Sequence, residues 1–195
     1  GGAIVSATPV YMQVEVRVIN SKLNNNIANS TGNNSYGGAI SITGSILTIT
    51  DTSFENNIAN STATSYGGAI QTDILETTQP ILNMNNVTFN NNTATSTTTS
   101  YGGAISTTGT NTNANNTKFT NNKAQSINYG SYGGALSTTG QSETLHSNII
   151  IANSSFTNNT INATTKGYGG AISITASDLR INNTNFTDNL VNSTK

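Results

Sequence analysis

The sequence predicts an all-β protein, a parallel β-helix (solenoid) of six coils with about 32 residues per coil. Three observations carry the prediction. A Gly-Gly-Ala-Ile tetrapeptide recurs along the chain, a Phe-x-x-Asn signature alternates with it, and the segments between them alternate apolar and polar residues with period two and no helical period.

The first element is the tetrapeptide itself, starting at Gly1, Gly37, Gly67, Gly102 and Gly169, and present as Gly-Gly-Ala-Leu at Gly133. It supplies a short strand, and its glycine pair marks a bend where a positive φ or a close backbone approach excludes a Cβ. Tyr36, Tyr66, Tyr101, Tyr132 and Tyr168 precede the internal copies. Cutting before each Gly-Gly gives repeats 1–36, 37–66, 67–101, 102–132, 133–168 and 169–195, read together as a single solenoid domain.

The second element is a strand leading to the Phe position. Seven residues upstream of it stand Val16, Leu47, Leu82, Thr112, Ile149 and Leu179; five upstream stand Val18, Ile49, Met84, Ala114, Ile151 and Ile181. The intervening residue is usually polar, so one face of this strand is buried. Thr112 and Ala114 make the fourth repeat the least well packed. The third element is the signature: Phe54, Phe89, Phe119, Phe156 and Phe186, with Leu23 in the first repeat, each followed three residues later by Asn26, Asn57, Asn92, Asn122, Asn159 or Asn189. In a solenoid, equivalent residues of successive coils lie about 4.8 Å apart. Phe then stacks on Phe inside, and Asn stacks on Asn at a bend, where amides bridge coils. A β-sandwich gives no reason for identical residues at the same point of each unit. Asn20, Asp51, Asn86, Asn116, Asn153 and Asn183, three residues before the Phe position, are expected in an inner ladder as well.

The spacing alternates. From Gly-Gly to the Phe position the gaps are 22, 17, 22, 17, 23 and 17 residues; from there to the next Gly-Gly they are 13 or 14. Half of the unit is nearly constant, and every second unit carries a longer loop.

Composition narrows the function. Asn, Thr and Ser account for 89 of the 195 residues, and charged residues for 8%, against about 25% in an average domain. A net charge of −1 leaves no basic stripe for nucleic acid. No apolar run reaches the roughly 18 residues of a membrane helix, so no membrane insertion by this segment is expected. There is no Cys and a single His146, which removes thiolate sites and any centre that needs two imidazoles.

With both motifs in place, the chain resembles the polymorphic outer-membrane protein repeat family, known from chlamydial autotransporter adhesins. That family pairs Gly-Gly-Ala-Ile with Phe-x-x-Asn, and the resemblance spans essentially the whole sequence. It implies a right-handed parallel β-helix, extracellular at a cell surface, serving as an adhesin or a structural stalk. It carries no catalytic residue to transfer, and the implied partner is a surface glycan or protein receptor.

Other functional classes require residues in patterns of their own. A carbohydrate-active β-helix enzyme needs convergent carboxylates. Asp51 and Asp188 replace Asn in ladder positions, whereas Asp73 with Glu76 and Glu143 with His146 lie on long loops two coils, or about 10 Å, apart. These read as solvated loop charges, and no catalytic residue, metal ligand or cofactor is assigned. A calcium-binding solenoid needs an acid after its glycines, and here Ala-Ile follows. Ice binding needs a uniform outward Thr column, but the residue two past the Ile position is Ser6, Ile42, Thr72, Thr107, Thr138 and Ile174. A sugar-stacking stripe is one reading of the Tyr series; a half-buried aromatic ladder at a bend is the favoured one.

Of twelve Asn-x-Ser/Thr sequons, Asn29, Asn60, Asn162 and Asn192 fall six residues after the Phe position. They are the candidate N-glycosylation sites, on one exposed edge; Asn86 and Asn153, placed in the inner ladder, are not expected to be modified. No polar cap is visible, so the chain is expected to continue as the same repeat or to associate head to tail into a filament.

Overall fold

The structure, a computed structural model, describes residues 1–7, 12–76, 78–141 and 146–194. Glu143 lies outside these residues. The described chain is all strand, turn and bend, wound into six coils whose strands stack in register and in parallel as four sheets.

Sheet one is built from the Gly-Gly-Ala-Ile strands: Ile4–Ala7, Ile40–Thr43, Ile70–Asp73, Ile105–Thr108, Leu136–Thr139 and Ile172–Thr175. Sheet two holds the strands that lead into the Phe position, such as Ile46–Glu55, Ile81–Asn90 and Asn111–Thr120. Sheet three follows the signature, from Ile27–Ser30 to Leu190–Ser193. Sheet four ends in the tyrosines, as in Thr64–Tyr66 and Thr99–Tyr101. Every inter-coil pairing of these sheets is parallel, and the register places Ile40 on Ile70 on Ile105 on Leu136, and Phe54 on Phe89 on Phe119.

The corners are set by residues that tolerate the left-handed region. Two Asx columns flank the Phe position. One comprises Asn20, Asp51, Asn86, Asn116, Asn153 and Asn183; the other comprises Asn25, Asn56, Asn91, Asn121, Asn158 and Asp188. All twelve have φ between 46° and 59°. Asn and Asp adopt this conformation more readily than other side chains with a Cβ. The first column also explains why Ile49 and Thr52, three residues apart, both face inward: a left-handed residue between them shifts the alternation by one. This corner turns its own side chains outward. Asn86 and Asn153 are exposed, so the expectation of a second inner ladder is corrected.

At the remaining corner glycine is required. Gly67 has φ +62°, and a Cβ there would lie 1.8 Å from the Ile70 carbonyl oxygen; one on Gly68 would lie 2.0 Å from the Gly103 oxygen in the next coil. Backbones of adjacent coils and strands meet here without room for a side chain.

The core is a set of columns along the axis. Phe54, Phe89, Phe119 and Phe156 are fully buried, with ring centroids 4.5–5.0 Å apart, and Phe186 continues the stack at 4.9 Å. Full burial of each such side chain contributes roughly 1.5–3 kcal/mol. In the fourth coil Thr112 sits between Leu82 and Ile149, and Ala114 between Met84 and Ile151. The Thr112 hydroxyl is buried with no hydrogen-bond partner. In the sixth coil Leu179, Ile181 and Phe186 are about 40% exposed, because no coil covers their outer side.

Candidate functional site

The inner Asn ladder is a closed hydrogen-bond account. Asn92 Nδ2 donates to Asn122 Oδ1 (3.0 Å) and back to the Phe54 carbonyl (3.1 Å), while its Oδ1 accepts from the Asn57 backbone N–H (3.0 Å) and from Asn57 Nδ2 (2.9 Å). Both donors and both acceptor positions of the amide are thus used. Asn57, Asn122 and Asn159 repeat the pattern, and Asn189 continues it to Phe156 O at 2.8 Å. Asn57, Asn92, Asn122 and Asn159 are fully buried. These residues hold the coils together and offer nothing to a ligand.

What faces solvent divides into four regions. The first lies between sheets one and two, where the sequence gives coils one, three and five their longer connections; the described residues there are 12–14, 74–76, 78–80, 140–141 and 146. The short coils turn this corner with Gly44, Gly109 or Ala176, all at positive φ. In coil three, Leu75 and Thr78 pair across a tight turn, and the buried Ile74 packs over Gly109, where a Cβ would come within 3.0 Å of it. The long loop therefore folds over the short corner of the next coil. Consecutive long loops then touch: Gln13 Nε2 donates to the Gln79 carbonyl (3.0 Å), and Gln79 Nε2 to the His146 carbonyl (3.1 Å).

Among the described residues, the acids lie apart. Burial pushes the Asp73 carboxyl above its ordinary value, and His146 pairs with Asp178 at 3.5 Å across an exposed surface. Glu15 accepts from Arg17 and from Thr48, hydrogen bonds that lower its pKa. Asp51 accepts from Asn86 Nδ2 at 2.6 Å as a member of the outer Asx column, and Asp188 holds a corner of the other. Among the described residues, no group of three or more His, Cys, Asp or Glu could hold a metal ion.

The second region is the tyrosine column. Neighbouring rings of Tyr36, Tyr66, Tyr101, Tyr132 and Tyr168 stack with centroids 4.9–5.2 Å apart and planes within 14°. Inner ring faces cover one another, so a sugar finds only ring edges along most of the stripe. Desolvation, helped by the phenols on either side and by Asp73, pushes Tyr66 up to about 12; desolvation, with the Tyr132 phenol, raises Tyr101. The Thr positions weighed for ice binding are internal: Thr72, Thr107 and Thr138 are 1% exposed, and Thr107 and Thr138 share a hydrogen bond of 2.9 Å.

The third region is the outer face of sheet three. Asn29, Asn60, Asn162 and Asn192 occupy one register column there, with Thr95 and Gln125 in the two middle coils. Asn29, Asn60 and Asn192 are exposed and Asn162 is half-buried; Asn60 Nδ2 donates to Asn29 Oδ1 at 2.9 Å.

The fourth region, the outer face of sheet two, went unnoticed in the sequence. Asn83 and Asn85 in coil three lie beside Asn113 and Asn115 in coil four, whose Nδ2 groups donate hydrogen bonds to their Oδ1 atoms at 2.9 and 3.0 Å. The available signal was Asn at alternate positions of a strand, where its propensity is poor.

The model of the Chlamydia polymorphic membrane protein repeat matches residues 51–73 and 86–108. Each stretch runs from an outer Asx corner through Phe-x-x-Asn to the end of a Gly-Gly-Ala-Ile strand, so it covers the half of the unit whose length is nearly constant and stops before the variable connection. No curated protein and no solved structure gave a significant match.

Proposed function

We propose that this chain is a non-catalytic segment of an extracellular, adhesin-like surface protein, its coils forming a stiff stalk that displays the ridge of long loops to a surface glycan or protein receptor. The observation that carries this reading is the repeat match at residues 51–73 and 86–108, set in a solenoid whose ladders run through all six coils. Ladder contacts use up the inner residues, which suits a spacer. The alternating loops stand clear of them and tolerate change. The sequon column on sheet three fits a protein exposed to a glycosylating compartment.

The test is adhesion. Beads coated with the chain should adhere to a cultured cell layer, and replacing residues 74–80 by the short Gly corner of coil four should reduce adhesion while leaving the melting temperature near that of the parent. Beads that adhere no better than albumin-coated ones would sink the proposal. Release of reducing ends from polysaccharides by the same preparation would replace it with the enzymatic reading.

A further inference from the structure

Four strand asparagines, Asn83, Asn85, Asn113 and Asn115, form a compact amide patch on the outer face of sheet two. About half of the chain's asparagines supply a left-handed corner or an inner rung. Asn83, Asn85, Asn113 and Asn115 do neither. They sit mid-strand without a positive φ, where Asn is unfavourable. The equivalent outward positions carry Thr48 and Thr50 in coil two and Ile150 and Ala152 in coil five, so the fold is indifferent to what stands there. A strand propensity broken at four adjacent outward positions, where Thr, Ile and Ala serve in other coils, points to function.

Their chemistry is specific. Asn83 Oδ1 accepts from Asn113 Nδ2, Asn85 Oδ1 accepts from Asn115 Nδ2, and Asn115 Oδ1 accepts from Asn153 Nδ2 at 2.9 Å. These bonds fix the amide planes, yet each Nδ2 has two hydrogens and each Oδ1 two lone pairs. Donors and acceptors therefore remain side by side, facing out, repeated about every 4.8 Å along the axis. The array borders a shallow hollow of about 90 Å³, lined by Thr48, Thr50, Asn83, Asn85 and Asn113, with Ile49 and Met84 beneath. None of these side chains is charged. The charged residues of the same row, Arg17 and Arg180, stand in coils one and six.

We infer that this face binds a neutral polysaccharide, laid along the solenoid axis with its hydroxyls paired to the amides. A hydroxyl both donates and accepts, which matches an amide edge. An anionic chain finds no cations among the four amides, and a protein partner finds one apolar side chain, Ile150 beside Asn113, not the cluster of apolar and aromatic anchors such interfaces use. The inference deepens the adhesive reading by naming a ligand class, and rests on it for its biological use.

Retention of the whole chain on immobilised dextran, mannan and cellulose tests it, with alginate as the acidic comparison. The expected result is retention on at least one neutral polymer, unchanged by high salt. It should weaken about tenfold or more in the variant Asn83→Thr, Asn85→Thr, Asn113→Thr, Asn115→Thr, since several hydrogen bonds are lost together. The variant copies Thr48 and Thr50, and its melting temperature reports folding; the milder pair Asn83→Ala, Asn113→Ala should weaken retention in part. No retention, retention on alginate alone, or retention indifferent to both variants would overturn the inference. Coated-bead adhesion separates the two proposals: adhesion that survives the fourfold variant leaves the adhesive reading intact without the array, whereas parent beads that fail to adhere remove that reading itself.

Discussion

Asn121 and Asn122 are adjacent, chemically identical and opposite in consequence. Asn122→Ala removes a side chain that donates to Asn159 Oδ1 and to the Phe89 carbonyl, and accepts from the Asn92 backbone N–H and Asn92 Nδ2, each at 3.0 Å. Two backbone groups, Phe89 C=O and Asn92 N–H, lose these partners, while Asn92 Nδ2 keeps Phe54 O and Asn159 Oδ1 keeps the Asn122 N–H. The buried Asn92 N–H, left without its partner, costs about 1–3 kcal/mol, and each other hydrogen bond lost about 0.5–1.5 kcal/mol, so the change costs several kcal/mol. That is a large share of the roughly 5–15 kcal/mol that holds a typical domain folded. Asn121→Ala forfeits one exposed bond from Asn158 Nδ2 (2.7 Å) and places Ala at φ 56°, a strain of about 1–2 kcal/mol. Urea unfolding followed by far-UV circular dichroism should rank Asn122→Ala well below Asn121→Ala. Hydrogen exchange in the Asn122 variant should rise first at Asn92. Equal losses, or a larger one for Asn121, would refute the account of the inner ladder.

Thr112→Val should stabilise the protein by about 1 kcal/mol, since it exchanges a buried, unpartnered hydroxyl for a methyl of similar size; the urea midpoint reads it. Gly67→Ala should cost well above the about 1–2 kcal/mol of left-handed strain alone, because its Cβ would strike the Ile70 carbonyl; soluble yield and melting temperature check this. Tyr66 titrates near 12 in the folded chain and near 10 when unfolded, so the folded state holds a proton that the unfolded state releases. Its contribution is complete below pH 10 and is lost as pH rises from about 10 to 12. Phenolate absorbance and urea midpoints measured across that range should show it, and Tyr66→Phe should flatten part of the decline.

The coil register was legible because a stacked architecture writes each contact as identity at a fixed period. Phe in one column and Asn in another are visible without coordinates, since the residue above and the residue below do the same work. The outer Asx corner was harder. Asn86 and Asn92 look alike in sequence, three residues to either side of Phe89, and only the corner geometry separates them. Met84 and Val87 are both buried and three apart, which an uninterrupted strand forbids; that spacing was the clue that the residue between them is left-handed and turned out. The Thr at the ice-binding position carried a similar clue, since Ile42 and Ile174 share its column and already mark it as internal.

Ring orientation in the Tyr column and contact between alternate loops were not legible, for a different reason. A period states that two residues are neighbours; it does not state which face each presents. Tyr66 on Tyr101 could be an aromatic platform or a closed stack, and the 5.2 Å parallel separation selects the stack. Gln13, Gln79 and His146 belong to loops that share no motif, so nothing in the repeat pointed to their hydrogen bonds.

The same distinction locates function in this fold. Positions bound to a column are constrained from above and below at once, and a substitution there is felt in two interfaces. Inner Asn, buried Phe and corner Gly are of this kind, and they recur because the architecture demands it. Specific recognition has to be written where the column imposes nothing: in the long connections of coils one, three and five, and on outward strand positions that alternate freely between Thr, Ile, Ala and Asn. Within that permissive set, four adjacent asparagines in two consecutive coils form a patch that neither corner geometry nor core packing accounts for.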